Sequence, residues 1–490
     1  MNVRPRPGGK RPGPRSGGRP PRPRPKVDQA RLAAYDVLRA VAAEDAYANL
    51  VLPERLRARG LEGRDAAFAT ELAAGTLRRQ GTYDAVLSAC ARRPVTRIDP
   101  PVLDALRLGA HQLLSMRVPS HAAVGTTVDL VRQEVGHGPA GFVNAVLRRV
   151  AEQTLDAWVR AVAPDPGGDP RGFQVVWQSH PRWVVDALAE SLGERADELD
   201  ALLAADNEAP RVTLVARPGL VDREELLAVE GAEPTRWSPL GVTLGSGDPG
   251  AIEAVRRGRA AVQDEGSQLV ALAALAVPLE GGHDRRWLDT CAGPGGKAAL
   301  WGAEAARRGA HLLAGERAPH RAALVERAVA AVPAGVVEVV VADATDPPWG
   351  RDEFDRVVVD APCSGLGALR RRPESRWRRT PGDVEALVPL QRALLDRAID
   401  ATRPGGLTAY VTCSPVLAET AGVVEQVLAG RNDVELLDAD EVAADVLRAV
   451  PDHAGPLAGT VQLWPHRHGT DAMFLALLRR RQVVGRPSTG

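Results

Sequence analysis

Three of the four cysteines in this 490-residue chain occupy the same kind of position. Cys291 follows the apolar run WLDT, Cys363 follows FDRVVVDA, and Cys413 closes GLTAYVTC just ahead of Ser414 and Pro415. Each run reads as a β-strand, and in an open α/β sheet the ligand crevice lies outside the carboxyl ends of the strands, so three thiols converge on one edge. Buried cysteine is often simple packing, and Cys90, on a helical stretch, reads as core. Cys363 near Asp360, and Cys413 between Thr412 and Ser414, instead point to nucleophilic chemistry, in which a thiolate divides one difficult step into two easier ones. The absence of any CxxC pair argues against a thiolate zinc site or a disulfide framework.

A second chemical feature precedes the first helix of the same region. LDTCAGPGGKAALW places Gly293, Gly295 and Gly296 between a strand and a helix, where free backbone N–H groups can bind a carboxylate or phosphate. Cys291 and Ala298 exclude a P-loop, which needs Gly and Ser or Thr there. The dinucleotide fingerprint does fit Gly293, Gly295 and Ala298, with Glu316 about 20 residues on to bind ribose hydroxyls. By itself the loop does not separate NAD from S-adenosylmethionine, since both carry an adenosine ribose.

These residues need a scaffold, and the chain changes rhythm along its length. Leu32, Tyr35, Leu38 and Val41, then Leu103, Leu106, Ala110 and Leu113, recur at helical spacing and predict six or seven helices between 29 and 150. Pro100-Pro101 suits a helix start and Gly81 a helix end. PDPGGDPRG (164–172) reads as a linker, and 173–265 as a small α+β module. From 266 to 482 strands alternate with Gly-rich turns and helices; the runs 287–290, 311–316, 336–343, 354–361, 406–413 and 473–480 predict a doubly wound α/β domain.

Charge is unevenly spread. The total balances at 62 basic and 62 acidic residues, yet residues 1–26 carry nine basic groups and no acid, leaving 53 basic against 62 acidic in the body. That Arg-, Pro- and Gly-rich arm lacks a buried-face pattern and reads as disordered. Fifty-nine of the basic residues are Arg, and Lys297 is the single Lys beyond residue 26. No signal-peptide core and no apolar run of membrane-spanning length occurs, which predicts a cytoplasmic protein.

Together, DTCAGPGGK, DAPCSGLG, TCSPVLAE and VQDEGSQL resemble the signature blocks of the RsmB (Sun) family of RNA 5-methylcytosine methyltransferases. Residues 27–163 resemble the NusB-like RNA-binding domain that this family carries ahead of its Rossmann-like catalytic part. The resemblance implies an S-adenosylmethionine-dependent enzyme acting on carbon 5 of a cytosine in 16S ribosomal RNA; separately, no metal and a monomeric state are expected. It implies Cys413 as the thiol that adds to carbon 6, Asp360 as the carboxyl group near ring nitrogen 3, and Cys363 as the residue assisting product release. Cys291, Ala292, Gly293, Pro294, Gly295, Gly296 and Lys297 would surround the methionine part of the donor, Glu316 the ribose, Asp343 the adenine edge and Asp360 the sulfonium. Gly293, Ala298 and Pro415 depart from the family pattern, and of its acidic pair after TCS only Glu419 remains, with Ala418 beside it.

Other readings are a nucleotide-dependent oxidoreductase, built on the glycine loop, and a non-catalytic RNA-binding protein, built on the helical domain. RRRPESRWRR (370–379) carries six Arg and suits either RNA phosphate contacts or a solvated surface. HRH at 466–468 has no neighbouring ligand partner and suggests no metal.

Overall fold

Seven helices, Gln29–Ala43, Ala48–Ala58, Gly63–Arg78, Gln80–Ala91, Pro100–Leu114, Ser120–Glu134 and Ala140–Val150, enclose one core that contains Leu32, Tyr35, Leu38, Leu106 and Cys90. The computed structural model describes Met1 and residues 27–482, so the basic arm lies outside the described residues. Pro100 opens its helix as expected, where its missing N–H has no partner to lose. Gly81 does not end a helix. It lies in the first turn of Gln80–Ala91, where a Cβ would overlap the indole of Trp377. Close packing from a distant segment, rather than helix termination, explains that glycine.

Four short antiparallel strands form a small sheet: β1 (Thr213–Ala216), β2 (Glu233–Pro234), β3 (Gly241–Thr243) and β4 (Ala260–Val262), in the order β2-β3-β1-β4. Leu214, Leu226 and Val242 give it its own core. The preceding helices Arg182–Leu192 and Leu199–Ala205 do not join that core. Val184, Leu188, Leu202 and Leu203 pack instead against Leu366, Leu369 and Val416, behind the loops that carry Cys363 and Cys413.

The large sheet comprises β5 (Arg286–Asp289), β6 (His311–Glu316), β7 (Val337–Val341), β8 (Phe354–Asp360), β9 (Thr402–Thr412), β10 (Val434–Leu436), β11 (Val461–Gln462) and β12 (Phe474–Arg480). Its order is β10-β12-β9-β8-β5-β6-β7, with β11 paired to β12. Strands β5 to β9 run parallel, and β12 is antiparallel to β9. All six expected strands are present; β10 and β11 are too short to leave a periodic signal. Val358 faces a core with Leu269, Leu300 and Trp301, while Val357 and Val359 face one with Leu394, Leu395 and Val423. Burial on both faces is what an uninterrupted VVV run predicts. Edge strand β7 departs from this, with Glu338 and Val341 exposed, because the described residues 342–353 form no covering helix. Strand order reverses between β5 and β8, so a crevice opens beyond Asp289 and Asp360.

Candidate active site

The turn after β5 is built by its own backbone. Thr290 N donates to Val358 O at 3.0 Å and Ala292 N to Gly315 O at 2.9 Å, which fixes the loop across β8 and β6. Gly295 has φ 109°, and a Cβ there would lie 2.5 Å from that of Ala328. Both the left-handed backbone and the lack of room require glycine. The helix Gly296–Arg308 then starts with its first amides directed at the crevice, an arrangement that favours a carboxylate. Ala298 is fully buried in the core, where a hydroxyl would need a partner.

Acidic groups line the adjoining strand ends. Glu316 is buried at the end of β6 and accepts from Ala318 N at 2.9 Å and Gly293 N at 3.2 Å. A Cβ at Gly293 would overlap the Glu316 carboxylate, so the departure to glycine permits this close approach. Asp343, beyond β7, accepts from Thr345 Oγ1 and N, and those hydrogen bonds hold it below the usual carboxylate range. Asp289 was not singled out from sequence, although its place as the last residue of β5 is a usable signal. It is fully buried, its Oδ2 has no hydrogen-bond partner, and burial, followed by the charge of Asp360, pushes it up to about 7.

Of the three strand-end cysteines, two meet. Cys363 and Cys413 Sγ atoms stand 3.5 Å apart, beside Lys297, whose Nζ lies 2.9 Å from Asp360 Oδ2. The hydrogen bond from Cys363 holds Cys413 below the usual thiol value, and Lys297 adds to this against burial and Asp360. The same bond, with burial, raises Cys363 well above the ordinary thiol. Burial alone would lower Lys297, but Asp360 and Cys413 outweigh it and keep the ammonium charged. The pair can therefore hold one thiolate on Cys413 and one proton on Cys363. Cys291 stays apart, packed near Leu288 and Tyr410, with burial pushing its thiol up to about 12. Its part in the site is the backbone: Cys291 N donates to Asp289 Oδ1 at 3.2 Å.

Neighbouring loops hold this arrangement. Gly367 N donates to Cys413 O at 2.9 Å, and a Cβ at Gly367 would overlap Ala472 O. Pro415, which lacks an N–H, is bridged by Val416 N donating to Ser414 Oγ at 3.2 Å. From VQDEGSQL, Asp264 caps the helix Glu265–Ala276 and accepts from Asp471 N, while Glu265 accepts from Ser238 N at 2.7 Å. That block joins the small sheet to the large one.

The Arg-rich segment 370–379 corrects the phosphate-binding expectation. Arg376 is fully buried and donates to Ser179 O at 3.1 Å, Asp206 O at 3.1 Å and Asn207 Oδ1 at 2.8 Å. Arg378 donates to Val41 O at 3.1 Å and to Ala46 O, and Glu374 accepts from Ala48 N at 3.1 Å. Arg372 and Arg378 cover the Tyr47 ring, and Arg371 pairs with Asp471. Arg372, Glu374 and Arg378 bolt the helical domain to the segment that follows the Cys363 loop, while Arg376 ties that segment to residues 179–207. His466 is paired with Glu198 at 2.7 Å and His468 with Pro451 O at 2.8 Å.

Residues 276–479 match the model of the 16S rRNA methyltransferase RsmB/F family, and residues 28–152 match the NusB family. A Mycobacterium tuberculosis protein named as a methyltransferase is 52% identical over 93% of this chain and 97% of its own length. The ribosomal RNA small subunit methyltransferase B of Pseudomonas putida is 32% identical over 83% of this chain and 91% of its own. Among solved structures, PH0851 aligns with a TM-score of 0.76 at 22% identity, covering 92% of this chain and 98% of that one. NSun6 from Pyrococcus horikoshii, solved with SFG, an S-adenosylmethionine analogue, aligns with a TM-score of 0.51 at 18% identity, covering 62% and 100%.

Proposed function

This chain belongs to the RsmB/F family of S-adenosylmethionine-dependent ribosomal RNA methyltransferases, and from that premise we propose that it methylates carbon 5 of a cytosine in 16S ribosomal RNA. The observation that carries the reading is the pair of thiols 3.5 Å apart, polarised in opposite directions, at the strand ends beside Lys297 and Asp360.

Carbon 5 of cytosine is a poor nucleophile. Addition of the Cys413 thiolate to carbon 6 makes carbon 5 enamine-like, and a proton delivered through the Asp360 carboxyl group to ring nitrogen 3 neutralises the negative charge that develops and returns the same way after methyl transfer. After carbon 5 has gained its methyl group, its proton must leave. The electrons of that C–H bond restore the double bond and expel Cys413 as thiolate. Cys363 is placed to take the proton at Sγ. Its raised pKa arises first from the hydrogen bond to Cys413, and that bond to a thiolate is lost once the Cys413 sulfur is bonded to carbon. A thiol that holds its proton before addition thus becomes able to release it to solvent once the adduct has formed, and the thiolate left at Sγ then takes the carbon 5 proton, so that Cys363 ends as thiol and Cys413 as thiolate, as they began.

S-adenosylmethionine supplies an electrophilic methyl group when bound, and the residues present suit it. Residues 291–297 would hold the methionine part with backbone amides, and the free Oδ2 of Asp289 suits its ammonium group. Glu316 would take the ribose hydroxyls, Asp343 the adenine edge, and Asp360 the vicinity of the sulfonium. A set of four carboxyl groups matches a cationic donor better than a dinucleotide phosphate, and family membership leaves the oxidoreductase and non-catalytic readings without support.

The RNA partner follows from the NusB match and from the relatives' substrate, and the target base must leave its stack to meet Cys413. Among the described residues, no helix is long and apolar enough to cross a membrane, and the reading sets the enzyme in the cytoplasm with its RNA. Bisulfite sequencing of ribosomal RNA tests it, using cells lacking the gene and rescued with native chain or Cys413→Ala. Loss of one 5-methylcytosine signal, restored only by the native chain, is expected; an unchanged methylation pattern in the deletion strain would sink the reading.

A further inference from the structure

Cys363 and Cys413 sit on different loops, one after β8 and one after β9, and no covalent link sets their separation. One buried carboxylate touches both loops. Glu419 is fully buried and accepts from Ser364 N at 2.7 Å, Ser364 Oγ at 2.5 Å, Ser414 Oγ at 2.7 Å and Gln391 Nε2 at 3.1 Å. Ser364 and Ser414 are the residues immediately after the two cysteines, and their hydroxyls lie 3.1 Å from each other. Glu419 is itself fixed from two sides. Tyr410 OH, from β9, donates to Glu419 O at 2.8 Å, and Gln391, from the helix Pro381–Ala401, also donates to Pro362 O at 2.9 Å. Adjacent Ala418 is exposed, so the acid that remains is the one directed inward.

We propose that Glu419 is the positioning residue that sets the distance and mutual orientation of the Cys363 and Cys413 thiols. The proposal rests on the functional reading above and adds to it the part that holds the two sulfurs in register. Its physical basis is that a buried carboxylate must keep its donors, and here three of its four hydrogen bonds come from serines adjacent to the thiols. Weakening it lets the two loops drift apart, and a shift of about 1 Å in a reacting group is enough to lower a rate about 100-fold. Glu419 touches no reacting atom.

The test uses the full-length protein and reads the sulfurs directly. Alkylation of Cys413 by iodoacetamide, followed by mass spectrometry across pH without RNA, reports the midpoint of its thiolate. Besides Cys363, the groups facing Cys413 are Lys297, Asp360, Asp471 and Arg371, and all are unchanged in the variants used. Both Glu419→Gln and Cys363→Ala should move the midpoint to higher pH, because each removes the Cys363 hydrogen bond. The double variant should titrate no higher than Cys363→Ala, since Glu419 acts through Cys363. An unchanged midpoint in Glu419→Gln, or a fully additive double variant, overturns the proposal. If Glu419→Gln does not fold, as judged by thermal unfolding, Ser364→Ala with Ser414→Ala carries the same comparison. With RNA, Glu419→Gln should retain S-adenosylmethionine binding while kcat falls about 100-fold and KM holds. Failure of the native chain to methylate cytosine would count against the functional reading, while the alkylation series still decides the role of Glu419.

Discussion

Lys297 Nζ lies 2.9 Å from Asp360 Oδ2, joining the first turn of the helix after the glycine loop to the end of β8 across the crevice. In a chain that otherwise uses Arg beyond its basic arm, the single Lys fills a slot where its side chain is only 10% exposed. Lys297→Met should leave the fold intact, release Asp360 and lower single-turnover methyl transfer about 100-fold. The Cys413 alkylation midpoint should also rise, because a nearby positive charge is lost. A variant with native single-turnover rate would show that the ammonium does not orient the carboxylate.

The opposed states of the two thiols predict opposite outcomes on RNA. Cys363→Ala should accumulate a denaturant-stable protein–RNA adduct, since Cys413 still adds while proton removal is impaired. Cys413→Ala, alone or combined with Cys363→Ala, should form none. Denaturing gels with labelled RNA distinguish the two, and an adduct in the Cys413→Ala chain would reassign the nucleophile.

Asp289 should give the proposed donor site a pH dependence. Its carboxyl group titrates near 7 in the fold, against an ordinary value of 3.8, because burial and then Asp360 disfavour the charge. The charged form attracts an ammonium, so S-adenosylmethionine affinity should rise as pH passes upward through about 7. Stability of the ligand-free chain should run the other way. The folded group holds its proton more tightly than the unfolded one, so its contribution is lost as pH rises from about 4 toward 7. Calorimetric titration and thermal unfolding of Asp289→Asn should show both dependences flattened; unaltered profiles would remove Asp289 from the account.

Arg376 should behave as a structural strut. Arg376→Met leaves Ser179 O, Asp206 O and Asn207 Oδ1 without this donor and should destabilise the chain by about 3 kcal/mol in urea unfolding. The dependence of RNA affinity on salt should stay the same, because no phosphate contact is lost. A shallower salt slope in this variant would restore the phosphate reading.

Deleting residues 1–26 removes nine basic groups from a body that is otherwise acidic. RNA affinity should fall most at low ionic strength, while the same cytosine remains methylated. Filter binding across salt concentrations, paired with bisulfite sequencing, checks both parts; a changed target base would give the arm a role in specificity.

The sequence by itself determined the order of the parts and the identity of the chemical groups. Apolar runs buried on both faces mark β5, β6, β8, β9 and β12, helical spacing marks the N-terminal domain, and DAPCSGLG and TCSP mark two thiols at strand ends. These signals are local, because strand burial, helix faces and glycine turns are each written within a few neighbouring residues. Only the tertiary structure decided which groups meet. It paired Cys363 with Cys413 and left Cys291 aside, it gave Asp289 and Glu419 their buried places, and it turned Arg376 inward onto Ser179 and Asn207 and Arg378 onto the helical domain. Arginine types are legible in a sequence, but their partners are not. A guanidinium binds whichever carbonyls, carboxylates or phosphates the packing brings within reach, and Ser179, Asp206 and Val41 come from chain segments more than a hundred residues away.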